Sequence, residues 1–153
     1  MGSPQTNLCE IATPEQWQAY HWIRRTVLFE PNGYGYSENH PDDHAPGNVP
    51  VLLELAGTPI GAMRIDLRPD AGIVTIRTMG VVPEHQRHGH GRTFLGFAEQ
   101  FAASRGCTHA RLVAAKWAVG FYAKCGYEVS LWDPEHPPGN GKQMRKELPT
   151  TNC

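Results

Sequence analysis

Val81-Val82-Pro83-Glu84-His85-Gln86-Arg87-His88-Gly89-His90-Gly91-Arg92 is the stretch on which the fold turns. Before it runs Ile73-Val74-Thr75-Ile76, apolar and β-branched, which reads as a buried strand. After it Phe94, Leu95, Ala98, Phe101 and Ala102 recur at three- and four-residue spacing, which predicts a helix with one buried face. Between the two stand paired glycines among arginines and histidines. Strand, glycine loop, helix N-terminus and basic side chains together describe an anion site. The orphan N–H groups of the first turn and the helix dipole both point at a bound negative charge.

Two well-known anion loops do not fit. A P-loop ends in Gly-Lys-Ser/Thr, and Gly91 is followed by Arg92-Thr93. A dinucleotide fingerprint needs a third glycine three residues after the second, where Phe94 stands. What remains is Gln86-x-x-Gly89-x-Gly91 behind a Val-Val-Pro strand end, with Phe121-Tyr122-Ala123-Lys124-Cys125-Gly126-Tyr127 further on. The pair resembles the pyrophosphate segment, Gln/Arg-x-x-Gly-x-Gly/Ala, and the Phe-Tyr-x-x-x-Gly-Phe segment of the GNAT superfamily of acyl-CoA-dependent N-acetyltransferases. The resemblance runs over residues 8–148 and is specific over residues 79–127.

The resemblance implies an α+β fold: a mixed, mostly antiparallel sheet of six to seven strands flanked by helices and splayed at a central bulge. It implies acetyl-CoA as cosubstrate and an amine acceptor, acetylated by direct attack. Cofactor contacts then fall to Met79 and Val81 beside the pantetheine arm, and to Gln86, Arg87, His88, Gly89, His90, Gly91 and Arg92 at the pyrophosphate. Glycines suit that loop because a Cβ would block close approach or forbid positive φ. Tyr122 is implied as the general acid facing the sulfur, and Met79-Gly80 is compatible with the bulge. Two departures stand out. Relatives carry a glutamate base on the strand before the loop, where this chain has Thr75, Arg77 and Thr78. Glu30, at the end of the first helix, is the carboxylate expected to substitute, with Glu54, Asp66 or a water chain as alternatives. Ala115 stands where relatives have an asparagine for the pantetheine. The rival reading is a non-catalytic acyl-CoA-binding or sensing module on the same fold.

Metal binding is weighed and set aside. His85, His88 and His90, or His40, Asp42, Asp43 and His44, have the right chemistry. Arg87 and Arg92 interleave with the first set and oppose a cation there. Further out, 153 residues allow one domain, expected over residues 8–153 after a disordered start at residues 1–7. A net charge of -1 argues against nucleic acid as partner. No membrane-length apolar run is present, so a cytoplasmic location is expected, and a homodimer is allowed. Cys9, Cys107, Cys125 and Cys153 lack paired spacing and read as free thiols.

Thr13-Pro14-Glu15-Gln16 is a helix start with a capping box, and Pro31 is expected to end that helix. Residues 31–50 have loop composition and read as a substrate-side lid. Val51–Ala56 and Ile60–Leu67 form a hairpin across Gly57-Thr58. Ala110–Ala114, Tyr127–Trp132 and Gln143–Leu148 are further strands, with a short helix over Ala118–Lys124. Glu30, Glu38, Asp42, Asp43, Asp133 and Glu135, with Tyr34 and Tyr36, are expected to favour a cationic acceptor.

Overall fold

Thr13 opens the first helix, α1 (Pro14–Ile23), as its neighbours dictate. Gln16 N–H donates to Thr13 Oγ1 at 3.2 Å, and Thr13 N–H donates back to Gln16 Oε1 at 3.0 Å. The computed structural model describes residues 5–149. Seven strands follow one another as β1 (Thr6–Glu10), β2 (Asn48–Leu55), β3 (Thr58–Arg68), β4 (Ile73–Val81), β5 (His109–Ala114), β6 (Glu128–Val129) and β7 (Lys142–Glu147). They form one sheet in the order β1-β2-β3-β4-β5-β7-β6. Every neighbouring pair is antiparallel except β4 and β5, whose crossover is α2 (His90–Ser104). The expected α+β mixed sheet is what forms. Ala56 and Gly57 both take positive φ, which sets the twist of the β2–β3 hairpin turn.

The sheet's two faces have different fates. Ile65, Leu67, Val74, Ile76, Ala110, Leu112 and Met144 share one face and are buried. α2 covers them with Phe94, Leu95, Ala98 and Ala102; a Cβ on Gly61 would stand 3.1 Å from the Phe94 ring. On the opposite face α1 lays Tyr20 and Ile23 over β2 and β3. Across β4, β5 and β7 that face instead carries Thr75, Arg77, Arg111, Arg145 and Gln143.

Two irregularities shape the middle of the sheet. β4 and β5 pair only from Ile73↔His109 to Ile76↔Leu112, then part. In the same place β3–β4 pairing shifts between Ala62 and Arg64, so Thr78 and Met79 together oppose Met63. The bulge thus sits one residue before Met79-Gly80. Thr78 takes φ +51°, an outlier for a β-branched residue.

Several boundaries differ from the sequence reading. Thr6 and Asn7, expected in a disordered start, are paired in β1, while residues 1–4 of that call lie outside the described residues. Pro31 does not end the first helix. α1 runs into a π-helical stretch, Arg24–Phe29, and a 3-10 turn, Glu30–Asn32, that tolerates proline near its start. Gly33 closes it at φ +75°. Residues 31–50 include a 3-10 turn at Pro41–Asp43 and the start of β2. The strand expected over Tyr127–Trp132 shrinks to Glu128–Val129, because Trp132 leaves the ladder and its indole N–H donates to Leu112 O at 3.2 Å.

Candidate active site

Where β4 and β5 part, a cleft of about 870 Å³ opens. β4 supplies Ile76, Thr78, Met79, Gly80 and Val81 to its wall, and β5 supplies Leu112, Val113 and Ala114. Val27, Leu28, Phe29, Asn32 and Tyr34 close one side, and the loop Pro138–Gly141 another. Met79, Val81, Gln86 and Tyr122, picked out in the sequence, all line it.

At one end the anion loop is built by local conformation. Gln86 Nε2 donates to Val81 O at 2.8 Å and ties the loop to the strand. Arg87 at φ +66° and Gly89 at φ +82° turn the chain into α2, whose cap Gly89 offers no side chain to the first turn. Thr93 N–H returns to Gly89 O, leaving the earlier amides of the turn for a ligand. Gly89 is needed for its positive φ. Gly91 has helical geometry, and a Cβ there would meet only Phe121 at 3.4 Å, an ordinary contact. The protein's own packing therefore does not require glycine at this position. Arg87, His88 and Arg92 are exposed around this turn. His90 lies 6.0 Å from His85 and 6.3 Å from His88 between ring centroids. Among the described residues no three His, Cys, Asp or Glu converge to hold a metal.

Tyr122 comes from the short helix α3 (Val119–Lys124) and is buried at the cleft. Its ring stands edge-on to Phe121 and Tyr127, at 5.1 and 5.9 Å. Burial, then the nearby Cys125, pushes its phenol up to about 12. Glu30 is exposed and does not line the cleft, although Phe29 and Asn32 beside it do. The π stretch changes the spacing per turn, so a face read at α-helical spacing is not the one that reaches the cleft. Glu54 is half-buried at the far hairpin, and Asp66 is locked to Arg64 through 2.7 and 3.0 Å bonds.

Sequence reasoning missed what holds the bulge. Arg24, buried on the π stretch, donates to Thr78 Oγ1 from Nε at 3.2 Å and from Nη2 at 3.0 Å. Its Nη1 reaches Asp43 Oδ1 at 3.2 Å, and Tyr20 O–H donates to the same oxygen at 2.9 Å. Next to Thr78, Gly80 leaves room for Leu28, whose Cγ would stand 3.0 Å from a Cβ. A left-handed threonine costs about 1–3 kcal/mol and persists only where its surroundings fix it. Arg24 and Leu28 are those surroundings. The same contacts reach into residues 31–50. Asp43 and Tyr36 brace α1, with Tyr36 O–H 2.6 Å from His21 Nδ1. Of the acidic residues expected to favour a cationic acceptor, Asp43 is bound by Arg24, and Glu38 by Arg25 at 2.8 Å. Among the described residues the cleft is lined by no carboxylate, and Lys116 is its one charged side chain.

Comparisons with known proteins agree with this geometry. The family model described as the acetyltransferase (GNAT) family matches residues 14–127. No curated protein sequence matches the chain. Among solved structures, a Lactobacillus plantarum protein described as an N-acetyltransferase is 25% identical with a TM-score of 0.74, covering 96% of this chain and 99% of that one. GCN5 from Tetrahymena, at 12% identity, has a TM-score of 0.77 over 97% of this chain and 98% of its own. The PaiA N-acetyltransferase of Thermoplasma acidophilum in complex with coenzyme A, at 17%, has a TM-score of 0.74 over 94% and 99%. The last two share the fold.

Proposed function

Since the chain belongs to the GNAT acetyltransferase family, we propose that it moves the acetyl group of acetyl-CoA onto an amine by direct attack. The observation that carries this reading is one continuous cleft. It joins Val81 and Gln86, which lead into the glycine loop before α2, to a splayed strand pair and to a buried tyrosine.

The residues present fit acetyl-CoA. The free amides at the start of α2, with Arg87 and Arg92 and the histidines His88 and His90, suit its phosphates. Gln86, Met79 and Val81 line the cleft where β4 and β5 part, and are proposed to border the pantetheine arm. When bound, the cosubstrate supplies a thioester. The bulge takes Thr78 and Met79 out of regular pairing where both line the cleft, and a backbone N–H there is proposed to polarise the carbonyl oxygen. The amine nitrogen bonds to the acyl carbon, the C–S bond breaks, and Tyr122 O–H donates to the departing sulfur. The amine's proton leaves through water, and Glu30, exposed beside the wall residue Phe29 but outside the cleft lining, is the carboxylate proposed to take it from that water. Phe29 and Tyr34, the latter 67% exposed, offer ring faces at the cleft wall.

The test is amine-dependent release of CoA thiol, followed over a panel of amines with mass analysis of each product. Acetylated amine equal to released thiol supports the transferase. Tight acetyl-CoA binding with no acetylated amine would support the binding-module alternative.

A further inference from the structure

The face of the sheet left open by α1 carries a cluster of arginines that the acyl-CoA site does not use. Arg111 on β5 stands directly across from Arg145 on β7. On the other flank Arg111 pairs with Thr75, and Arg77 lies two residues further along β4 on the same face. Like charges directly opposite one another in a sheet are unfavourable, yet neither Arg111 nor Arg145 has an ion-pair partner among the described residues. Arg111 is held rather than loose. Its Nε donates to Thr75 Oγ1 at 3.0 Å, and its guanidinium lies 4.3 Å from the Trp132 ring centroid. Both contacts leave its terminal N–H groups for another acceptor. Burial, then the field of Arg77, pushes Arg111 down from its ordinary range, with Asp133 opposing.

Arg77 shows the same unmet demand. Its Nε is buried without a hydrogen-bond acceptor. Asp66 Oδ2 is 3.5 Å away, but that carboxylate is taken by Arg64. The other carboxylates of the neighbourhood are engaged or at the edge. Asp133 is 3.0 Å from His136 Nδ1, Glu147 is 3.9 Å from His109, and Glu128 faces Arg145 across β6–β7. The patch adjoins the cleft. Val113, two residues after Arg111 on the same face and 44% exposed, lines it, as do Ile76 and Thr78 on either side of Arg77.

We infer that Arg77, Arg111 and Arg145, with Trp132, bind an anionic group of the acceptor, which is therefore an amine carrying a carboxylate or a phosphate. The guanidinium fork matches either anion in a two-bond geometry, and the indole keeps the Arg111 plane fixed for it. The site rests on the acetyltransferase reading only in calling the bound molecule an acceptor.

The test uses matched primary amines: para-aminomethylbenzoate, the phosphate monoester of para-aminomethylphenol, the amide of the first, and para-xylylenediamine. Trp132 indole N–H is followed by two-dimensional NMR, assigned with Trp132→Phe, and CoA release is measured alongside. The carboxylate or the phosphate amine is expected to shift Trp132 saturably, and the amide and the diamine not to. That anionic amine should show at least about tenfold higher kcat/KM than the amide, carried by KM. Whether carboxylate or phosphate binds tighter names the group. Arg145→Gln and Arg77→Gln, with unfolding still cooperative, should remove the preference while acetyl-CoA affinity stays at the wild-type value. Equal kcat/KM for anionic and neutral amines with no Trp132 shift would overturn the anion site and leave the transferase standing. Saturable Trp132 shifts without CoA release would overturn the transferase and leave the anion site standing. A preference that survives both arginine substitutions would overturn the assignment to these residues.

Discussion

Tyr122 is 9% exposed and holds its proton up to about pH 12. A free phenol is already a weaker acid than a free thiol by about 1.5 pH units, or ~2 kcal/mol, and burial widens that gap. In the proposed mechanism Tyr122 therefore works by hydrogen bonding to the departing sulfur more than by surrendering its proton. Tyr122→Phe should lower kcat by about 10²-fold with acetyl-CoA affinity unchanged, read from steady-state kinetics and calorimetry. The sign of the pH dependence follows. The hydroxyl is the active form and is lost only near pH 12. kcat/KM should rise as the amine deprotonates and show no descending limb up to about pH 10. Glu30 is exposed, and water can replace it, so Glu30→Gln should cost less than about tenfold in kcat, short of the ~10²–10⁴ of a positioned base. Tyr122 was marked in the sequence only by the resemblance of Phe121–Tyr127 to a family segment, and Gly89 by its place in a glycine loop between a strand and a helix. Arg24 was not. A lone arginine on a helix reads as solvated, and its partners Asp43 and Thr78 lie 19 and 54 residues away in the chain.

Two elements set the working geometry, the α2 N-terminus and the β4 bulge. At the first, Gly91→Ala puts a methyl into helical backbone with one ordinary contact to Phe121. Alanine favours a helix by up to about 1 kcal/mol over glycine. Thermal stability should hold or rise, while acetyl-CoA affinity falls by at least about tenfold in calorimetry. Opposite signs in the two readings mark a ligand-facing glycine. At the second, Arg24→Met leaves Asp43 buried without its 3.2 Å partner and Thr78 without its two donors. Breaking a buried pair in this way costs about 3–5 kcal/mol, which urea denaturation reads directly. Thr78→Val keeps shape and removes the acceptor oxygen, so kcat should fall further than acetyl-CoA affinity, and Thr78→Ser should restore it. The parallel β4–β5 pair was readable from strand, helix and strand in succession. The π stretch was not, because Arg24–Phe29 has ordinary helical composition.

Across the whole molecule, burial raises the phenols of Tyr20, Tyr122 and Tyr127 above their ordinary value of 10. A raised pKa in the folded state gives stability that is whole below about pH 10 and is lost as pH climbs through the folded values. The denaturation midpoint should be level from about pH 7 to about pH 9 and fall above about pH 10, less steeply in Tyr127→Phe than in wild type. Charge shows how far composition carries a functional reading. A net -1 conceals one open sheet face rich in arginine, and two of the acidic residues that suggested a cationic acceptor, Asp43 and Glu38, are paired with Arg24 and Arg25. Register, not composition, brings Arg111 opposite Arg145. The most direct test of acetyl transfer is a single turnover with the protein in excess over acetyl-CoA isotopically labelled in its acetyl group, with amine present, followed by intact-protein and small-molecule mass spectrometry. Labelled amine and free CoA should appear together in equal amounts while the protein mass stays unchanged. Label retained on the protein, or CoA released without labelled amine, would contradict direct transfer in the β4–β5 cleft.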